Sequence, residues 1–303
     1  MPKREALPFI GTRFCKRSAT LDVMNRSPLT IAIAQSQVVR DVPTNGAHIR
    51  ALMEQARDRG ARLVHFPEGA LSGYVKAQIA NWNEVDWGIV RNELAALQEA
   101  ARRLNMWVVD GCNHRLTPPN RPHNSLFIMS NSGQIIGRYD KRYCSNSEIT
   151  DWYAPGNEAC VFEVDGFRFG CALCIEIQFL EVFAEYERLN ADCVLFSCYA
   201  DDSMFWTMSQ GYAAANNYWV SVSTPAQCSG GLPSGIVGPD GQVMMRSNAD
   251  GLPELLIAKL DPADPKLEVA LSKARPWRRR ARTGEIYGTK PLSDPRSQNR
   301  HEL

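Results

Sequence analysis

Apolar positions in the first third of the chain alternate between two patterns. From Leu29 the run LTIAIAQ is short, apolar and rich in β-branched residues, which predicts a buried strand. Ile49, Leu52, Met53 and Ala56 then recur at helical spacing, and Gly60 stops that helix before a second apolar strand, ARLVHF. Val90, Leu94, Leu97, Ala101 and Leu104 repeat the helical spacing ahead of a third strand, MWVVDG. A β-α-β-α-β succession requires a sheet with helices packed on it, not an all-β or all-α domain.

The middle of the chain changes character. Ser125 to Met129 and Gln134 to Tyr139 flank the turn Asn131-Ser132-Gly133, and Val161 to Val164 and Phe167 to Leu173 flank Asp165-Gly166, so both pairs predict hairpins. A helix over Phe179 to Leu189, a strand Cys193 to Ser197, a helix around Trp206 to Asn217 and a strand Trp219 to Thr224 follow. Further strands flank Gly238-Pro239-Asp240-Gly241, and the last is Glu254 to Leu260. Without an internal repeat or a separating linker, the pattern predicts one α+β domain over 29–273. Residues 1–28 carry neither period and lean basic, as a disordered extension or a weak transit-like leader would, and Met24 is an alternative start to Met1. The Arg/Pro-rich segment 274–303 reads as a C-terminal arm.

Charge narrows the functional classes. Lys and Arg number 34 against 33 Asp and Glu, so a net charge of +1 offers no global field for a polyanion or an anionic bilayer, and neither nucleic acid nor membrane is an expected partner. No run approaches the ~20 apolar residues of a membrane span. The nine cysteines are odd in number and lack disulfide-framework spacing, which predicts free thiols and a cytoplasmic location.

Three segments each leave one reactive side chain at the end of a strand, where loops over a rigid sheet place catalytic groups. In LVHFPEGALSGY, Glu68 follows an apolar strand and a proline, so partial desolvation raises its pKa toward that of a general base. In GRYDKRYCSNSEITDWYAPG, Lys141 ends a strand and suits an oxyanion, with Glu148 as a second carboxylate seven residues on. In FRFGCALCIEIQFLEVF, Cys174 lies between a strand and a helical pattern, and a sharp turn there exposes the thiol at a helix N-terminus that lowers its pKa. Read singly, these residues are a solvated loop glutamate, a surface lysine and a core cysteine.

Other arrangements were weighed. Cys171 and Cys174 form a Cys-x-x-Cys pair, but no second pair or histidines stand at zinc-ligand spacing, and the short βαβ context of a redox motif is missing. A cysteine-histidine dyad would have to use His48, His65, His114, His123 or His301, with His65 inside a strand and His48 on a helix. A carboxylate base is preferred.

Together, and in this order, HFPEGALSGY, GRYDKR and CALCIEIQFLE resemble the nitrilase superfamily of carbon–nitrogen hydrolases over about Leu29 to Leu260. His123-Asn124-Ser125, Trp152 to Gly156 and SGIVGPDG at Ser234 to Gly241 add to the likeness. Ile175, Glu176 and Leu180 depart from the usual aromatic, aspartate and proline of the elbow, while Phe179 and Glu181 match. The resemblance implies a four-layer α-β-β-α sandwich, a homodimer or higher homo-oligomer with exchanged C-terminal arms, and neither metal nor organic cofactor. It implies Glu68 as base, Cys174 as nucleophile, Lys141 and the Ile175 N–H as oxyanion donors, and Glu148 as orienter. Tyr74 and the segment SCYADDSMFW, with Tyr199, Asp201, Asp202, Phe205 and Trp206, are candidate pocket residues. The expected substrate is a small amide or N-carbamoyl compound, a nitrile being the alternative. Two further alternatives are a catalytically silent binding or assembly module, against which the joint presence of Glu68, Lys141 and Cys174 speaks, and a thiol-disulfide protein using Cys171 and Cys174.

Overall fold

The computed structural model describes residues 26–301. The expected extension and the alternative start at Met24 therefore fall, up to residue 25, outside the described residues. Among the described residues twelve strands form two six-stranded sheets. The first contains β1 (Leu29–Gln35), β2 (Leu63–His65), β3 (Trp107–His114), β4 (His123–Met129), β5 (Ile135–Asp140) and β12 (Glu254–Leu260), in the order β12-β1-β2-β3-β4-β5. The second contains β6 (Val161–Val164), β7 (Phe167–Leu173), β8 (Cys193–Ser197), β9 (Trp219–Ser223), β10 (Gly235–Val237) and β11 (Val243–Arg246), in the order β11-β10-β9-β8-β7-β6.

Helices α1 (Val42–Asp58) and α2 (Trp87–Leu104) cover the first sheet, and α3 (Leu180–Arg188) and α4 (Met204–Asn216) the second. Asp41 caps α1 by accepting from the Thr44 amide, and Asp86 caps α2. Side chains alternate across each strand, so β7 sends Phe167, Phe169, Cys171 and Leu173 into the core between the sheets, and Ala172 toward α3 and α4. Three stacked cores result, and the architecture is the expected α-β-β-α sandwich.

Both hairpins form. Asp165 and Gly166 take φ of +47° and +84°, the paired positive values that a tight two-residue turn demands. The strand expected over ARLVHF is shorter, because the chain leaves the sheet at Phe66-Pro67. After β12 a wide helical turn, Val269–Ala274, runs directly into α5 (Arg275–Arg282). Arg275 is buried and binds Asp192 at 3.0 Å, which also holds Arg26, while Arg278 binds Asn217 and Arg282 the Ala215 carbonyl. The first part of the segment 274–303 thus lies against its own domain.

Candidate active site

In each sheet three strands run parallel, β1-β2-β3 and β7-β8-β9, and the candidate residues gather beyond the C-terminal ends of β2, β7 and β8. Glu68 lies three residues past β2. Its loop is pressed onto β3 at Gly111, where an added Cβ would stand 2.1 Å from the Pro67 carbonyl oxygen, so only glycine permits the approach. Lys141 directly follows β5. The chain then loops out through the helical turn Glu148–Trp152 and returns, closing with a bond from the Gly156 amide to the Lys141 carbonyl. That closure brings Glu148 back to Lys141.

The lysine and the two glutamates form one buried cluster. Lys141 Nζ donates to Glu68 Oε1 at 3.0 Å and to Glu148 Oε1 at 2.8 Å, and none of the three side chains is more than 2% exposed. Glu68 also accepts from Asn124 Nδ2 (2.7 Å) and, at Oε2, from the Tyr199 amide (2.9 Å). Glu148 accepts from the Tyr74 hydroxyl (3.0 Å) and the Ser145 amide (2.7 Å). Burial raises the Glu68 pKa, and the Glu148 charge adds to that against the opposing pull of Lys141. For Glu148, burial acts upward but is outweighed by Lys141 and the two other donors, which hold it below the usual carboxylate range. Lys141 is held well above its ordinary value despite burial, by Glu68, Cys174 and Glu148. The cluster therefore separates an ionised pair, Lys141 with Glu148, from a more basic carboxylate, Glu68.

Cys174 sits where β7 ends, at φ +47°, a left-handed conformation uncommon for any residue but glycine. The turn is sharp, as expected, but α3 does not begin there. A five-residue 3-10 turn, Cys174–Gln178, intervenes and α3 starts at Leu180. Ile175 is the second residue of this turn, at a position whose N–H has no partner within it. Glu176 secures the elbow. Fully buried, its carboxylate accepts from the Leu173 amide on one side of Cys174 and from the Tyr139 hydroxyl and the Arg142 and Tyr143 amides around Lys141. One side chain thus ties the turn at Cys174 to the strand end at Lys141.

The pocket residues separate into two groups. Tyr74 and Tyr199 stack with ring centroids 4.6 Å apart, and the Tyr199 hydroxyl accepts from Gln78 and Gln227. Asp201 and Asp202 are exposed, and Asp202 accepts from the Met204 amide at the start of α4. Phe205 and Trp206 pack into the core beneath α4, in the apolar cluster that also holds Cys174, because the helical period turns them to the sheet with Ser209 and Ala213. Trp206 donates to the Pro233 carbonyl there, under the Arg246 guanidinium. Cys171 is in the core between the sheets, away from Cys174 on the helix side.

Sequence reasoning gave no role to Asn124, to the Tyr199 amide or to Glu176 as a brace. Asn124 was visible as part of His123-Asn124-Ser125, but only the pairing of β3 with β4 shows that it faces Glu68. His65 was also left without work. Its Nε2 lies 2.8 Å from Ser197 Oγ and its Nδ1 2.9 Å from Ser221 Oγ, and Ser197 donates to the Phe66 carbonyl. Ser197 has one hydrogen, so Nε2 carries the imidazole proton and Nδ1 accepts from Ser221. This neutral imidazole bridges the two sheets behind Glu68 and Tyr199, and burial pushes its pKa down to about 3. Among the described residues no group of three His, Cys, Asp or Glu side chains is placed to hold a metal ion, and no helix is long and apolar enough to cross a membrane.

The family model described as carbon-nitrogen hydrolase matches residues 30–266. This chain belongs to the carbon-nitrogen hydrolase family. A mutant of the Nesterenkonia sp. AN1 amidase, from the nitrilase superfamily, superposes with a TM-score of 0.72 at 22% identity, covering 86% of this chain and 96% of that one. A chloroplastic omega-amidase of Arabidopsis thaliana is 24% identical over 259 residues, 77% of this chain and 69% of that protein. Nitrilase homolog 2 of Dictyostelium discoideum is 21% identical over 188 residues, 58% of this chain and 56% of that relative's length. The resemblance read from the three motifs is thereby borne out for family and fold.

Proposed function

We propose that this carbon-nitrogen hydrolase cleaves the C–N bond of a small amide or N-carbamoyl compound through a thioester on Cys174. The observation that carries the reading is the buried Glu68–Lys141–Glu148 cluster beside a cysteine held at positive φ. Glu68, raised in pKa, takes the thiol proton as Cys174 attacks the carbonyl carbon. The tetrahedral oxyanion is held by Lys141 Nζ and the Ile175 N–H. Glu68 returns the proton to the departing ammonia or amine, then activates the water that hydrolyses the thioester. Glu148 and Tyr74 hold Lys141 in place through the Glu148 carboxylate. The Nesterenkonia mutant whose active-site cysteine carries the acetamide moiety of fluoroacetamide supports a nucleophilic cysteine at the corresponding place by analogy.

The closed setting favours small substrates, since Cys174 is only 8% exposed and Tyr74 and Tyr199 stack beside it. The test is ammonia release from ω-amides, N-carbamoyl amines, short aliphatic amides and nitriles, with intact-protein mass spectrometry of Glu68→Gln after substrate mixing. Amide or carbamoyl turnover, with little acyl adduct on the variant, is expected. Turnover of nitriles alone would replace the reading with a nitrilase. Rapid stoichiometric acylation of Glu68→Gln would show that another group deprotonates Cys174.

A further inference from the structure

The Cys-x-x-Cys pair of the sequence is split by the sheet. Cys171 points between the sheets and Cys174 lies on the helix side, so the two cannot bond to each other without unravelling β7. Each has another cysteine beside it. Val161 pairs with Gly170 across β6 and β7, which sets Cys160 against Cys171. Leu173 pairs with Ser197 across the parallel strands β7 and β8, which sets Cys174 against Cys198 at the C-terminal edge. Neighbouring strands are ~4.8 Å apart, inside the Cα separation of about 4.4–6.8 Å that a disulfide needs. Cys174 and Cys198 belong to one apolar cluster under α3 and α4. Cys198 has no part in the hydrolytic chemistry above.

We propose that Cys198 is the resolving thiol for Cys174, so that the site is reversibly oxidised by a small hydroperoxide to a Cys174–Cys198 disulfide. The proposal rests on Cys174 being the reactive nucleophile of the hydrolase reading. In the first step the Cys174 thiolate sulfur attacks a peroxide oxygen, the O–O bond breaks, and hydroxide or alkoxide leaves to take up a proton. Cys174 is oxidised to the sulfenic acid and the peroxide is reduced. In the second step the Cys198 sulfur attacks the Cys174 sulfur as its proton passes to Glu68, whose charge reaches Cys198. The S–O bond breaks, and the leaving hydroxide takes that proton from Glu68 and departs as water. An external dithiol reverses the bond by exchange. Without a thiol in this position a second peroxide carries the sulfenic acid on to the sulfinic acid, which thiols do not reverse. The pair thus converts an irreversible loss into a recoverable one. Burial pushes the Cys198 thiol well above its ordinary pKa, so it stays protonated until the sulfenic acid forms.

The test treats the full-length protein with hydrogen peroxide, blocks free thiols with iodoacetamide, and reads intact mass, peptide linkage and turnover before and after dithiothreitol. Wild type, Cys198→Ser and Cys228→Ser are compared, since Cys228 also lies near Cys174. Before blocking, wild type and Cys228→Ser are expected to lose ~2 Da, and then to show a Cys174–Cys198 linkage and to regain turnover with dithiothreitol, while Cys198→Ser gains about 32 Da on Cys174 and does not recover. A linkage to Cys228, or equal irreversible oxidation of Cys174 in wild type and Cys198→Ser, overturns the proposal. Linkage mapping on wild type decides the matter even where Cys198→Ser fails to fold. The disulfide without any C–N hydrolysis would sink the hydrolase reading alone, and hydrolysis with Cys174 never linked to Cys198 would sink this one alone.

Discussion

Replacing Glu148 by glutamine keeps the shape of the cluster and deletes one charge. Glu68 and Glu148 grip the same ammonium at 3.0 and 2.8 Å, so their near oxygens are separated by about 6 Å at most. Two like charges at that distance repel by roughly 3 kcal/mol at an effective dielectric of ~20, equivalent to about two pK units on Glu68. The sign follows from which form acts. A base must be deprotonated, and Glu148 holds the Glu68 pKa up, so removing its charge lets Glu68 ionise at lower pH. The acid limb of kcat/KM in Glu148→Gln is therefore expected to move down by about one to two pH units. The plateau is expected to fall about a hundred- to a thousand-fold, because Lys141 loses the anionic partner that in the proposed mechanism aims it at the oxyanion. The assay is kcat/KM against pH for wild type and variant on the best amide of the panel. A limb that stays in place, or moves up, would show that the group titrating in the profile does not feel Glu148, and Glu68 could not be the base.

Cys174→Ala is expected to abolish turnover and acyl-adduct formation, whereas Cys171→Ala keeps most activity and loses about 1 to 2 kcal/mol of stability from the inter-sheet core, read by denaturant midpoint; two equally dead, folded variants would return the Cys-x-x-Cys reading. Gly111→Ala should force the Pro67 to Gly69 backbone off β3 and lower kcat more than the folded fraction, checked by activity alongside circular dichroism, and unchanged kcat would mean that the Glu68 loop is not held there. His65, with its folded pKa depressed to about 3 from 6.5, binds a proton only on unfolding between those values, so stability is retained above pH 6.5 and lost as pH falls below it. The loss is about 2 kcal/mol by pH ~5, measured by denaturant unfolding at fixed protein concentration, and His65→Gln with the same acid slope as wild type would refute the assignment.

Local physics was legible wherever one short stretch of chain decided it. The strand LTIAIAQ, the helix face through Ile49 and Ala56 and the turn Asp165-Gly166 each follow from side-chain period or backbone freedom. The reactive types were legible too, since Glu68, Lys141 and Cys174 each follow a strand. Their electrostatics were not. A glutamate after a proline reads equally as a solvated loop residue, and only the pairing of β3, β4 and β5 surrounds it with Lys141, Asn124 and Glu148. The burial of Phe205 and Trp206 was not legible either, because aromatic content marks a pocket and a core alike, and the phase of α4 relative to its sheet is a property of packing.

What the sequence by itself determined is the set of elements, their order and the reactive side chains at their ends, because hydrophobic period and turn chemistry act over a few residues. Tertiary structure alone decided which groups share a proton, a charge or a sulfur neighbour. Glu68 and Glu148 meet at one lysine from positions 80 residues apart. Cys174 faces Cys198 and not Cys171, because strand register couples positions 24 apart while alternation sends residues three apart to opposite faces. Coulomb forces and bonding reach only a few ångströms through space, and distance in space between remote segments is set by the packing of the two sheets.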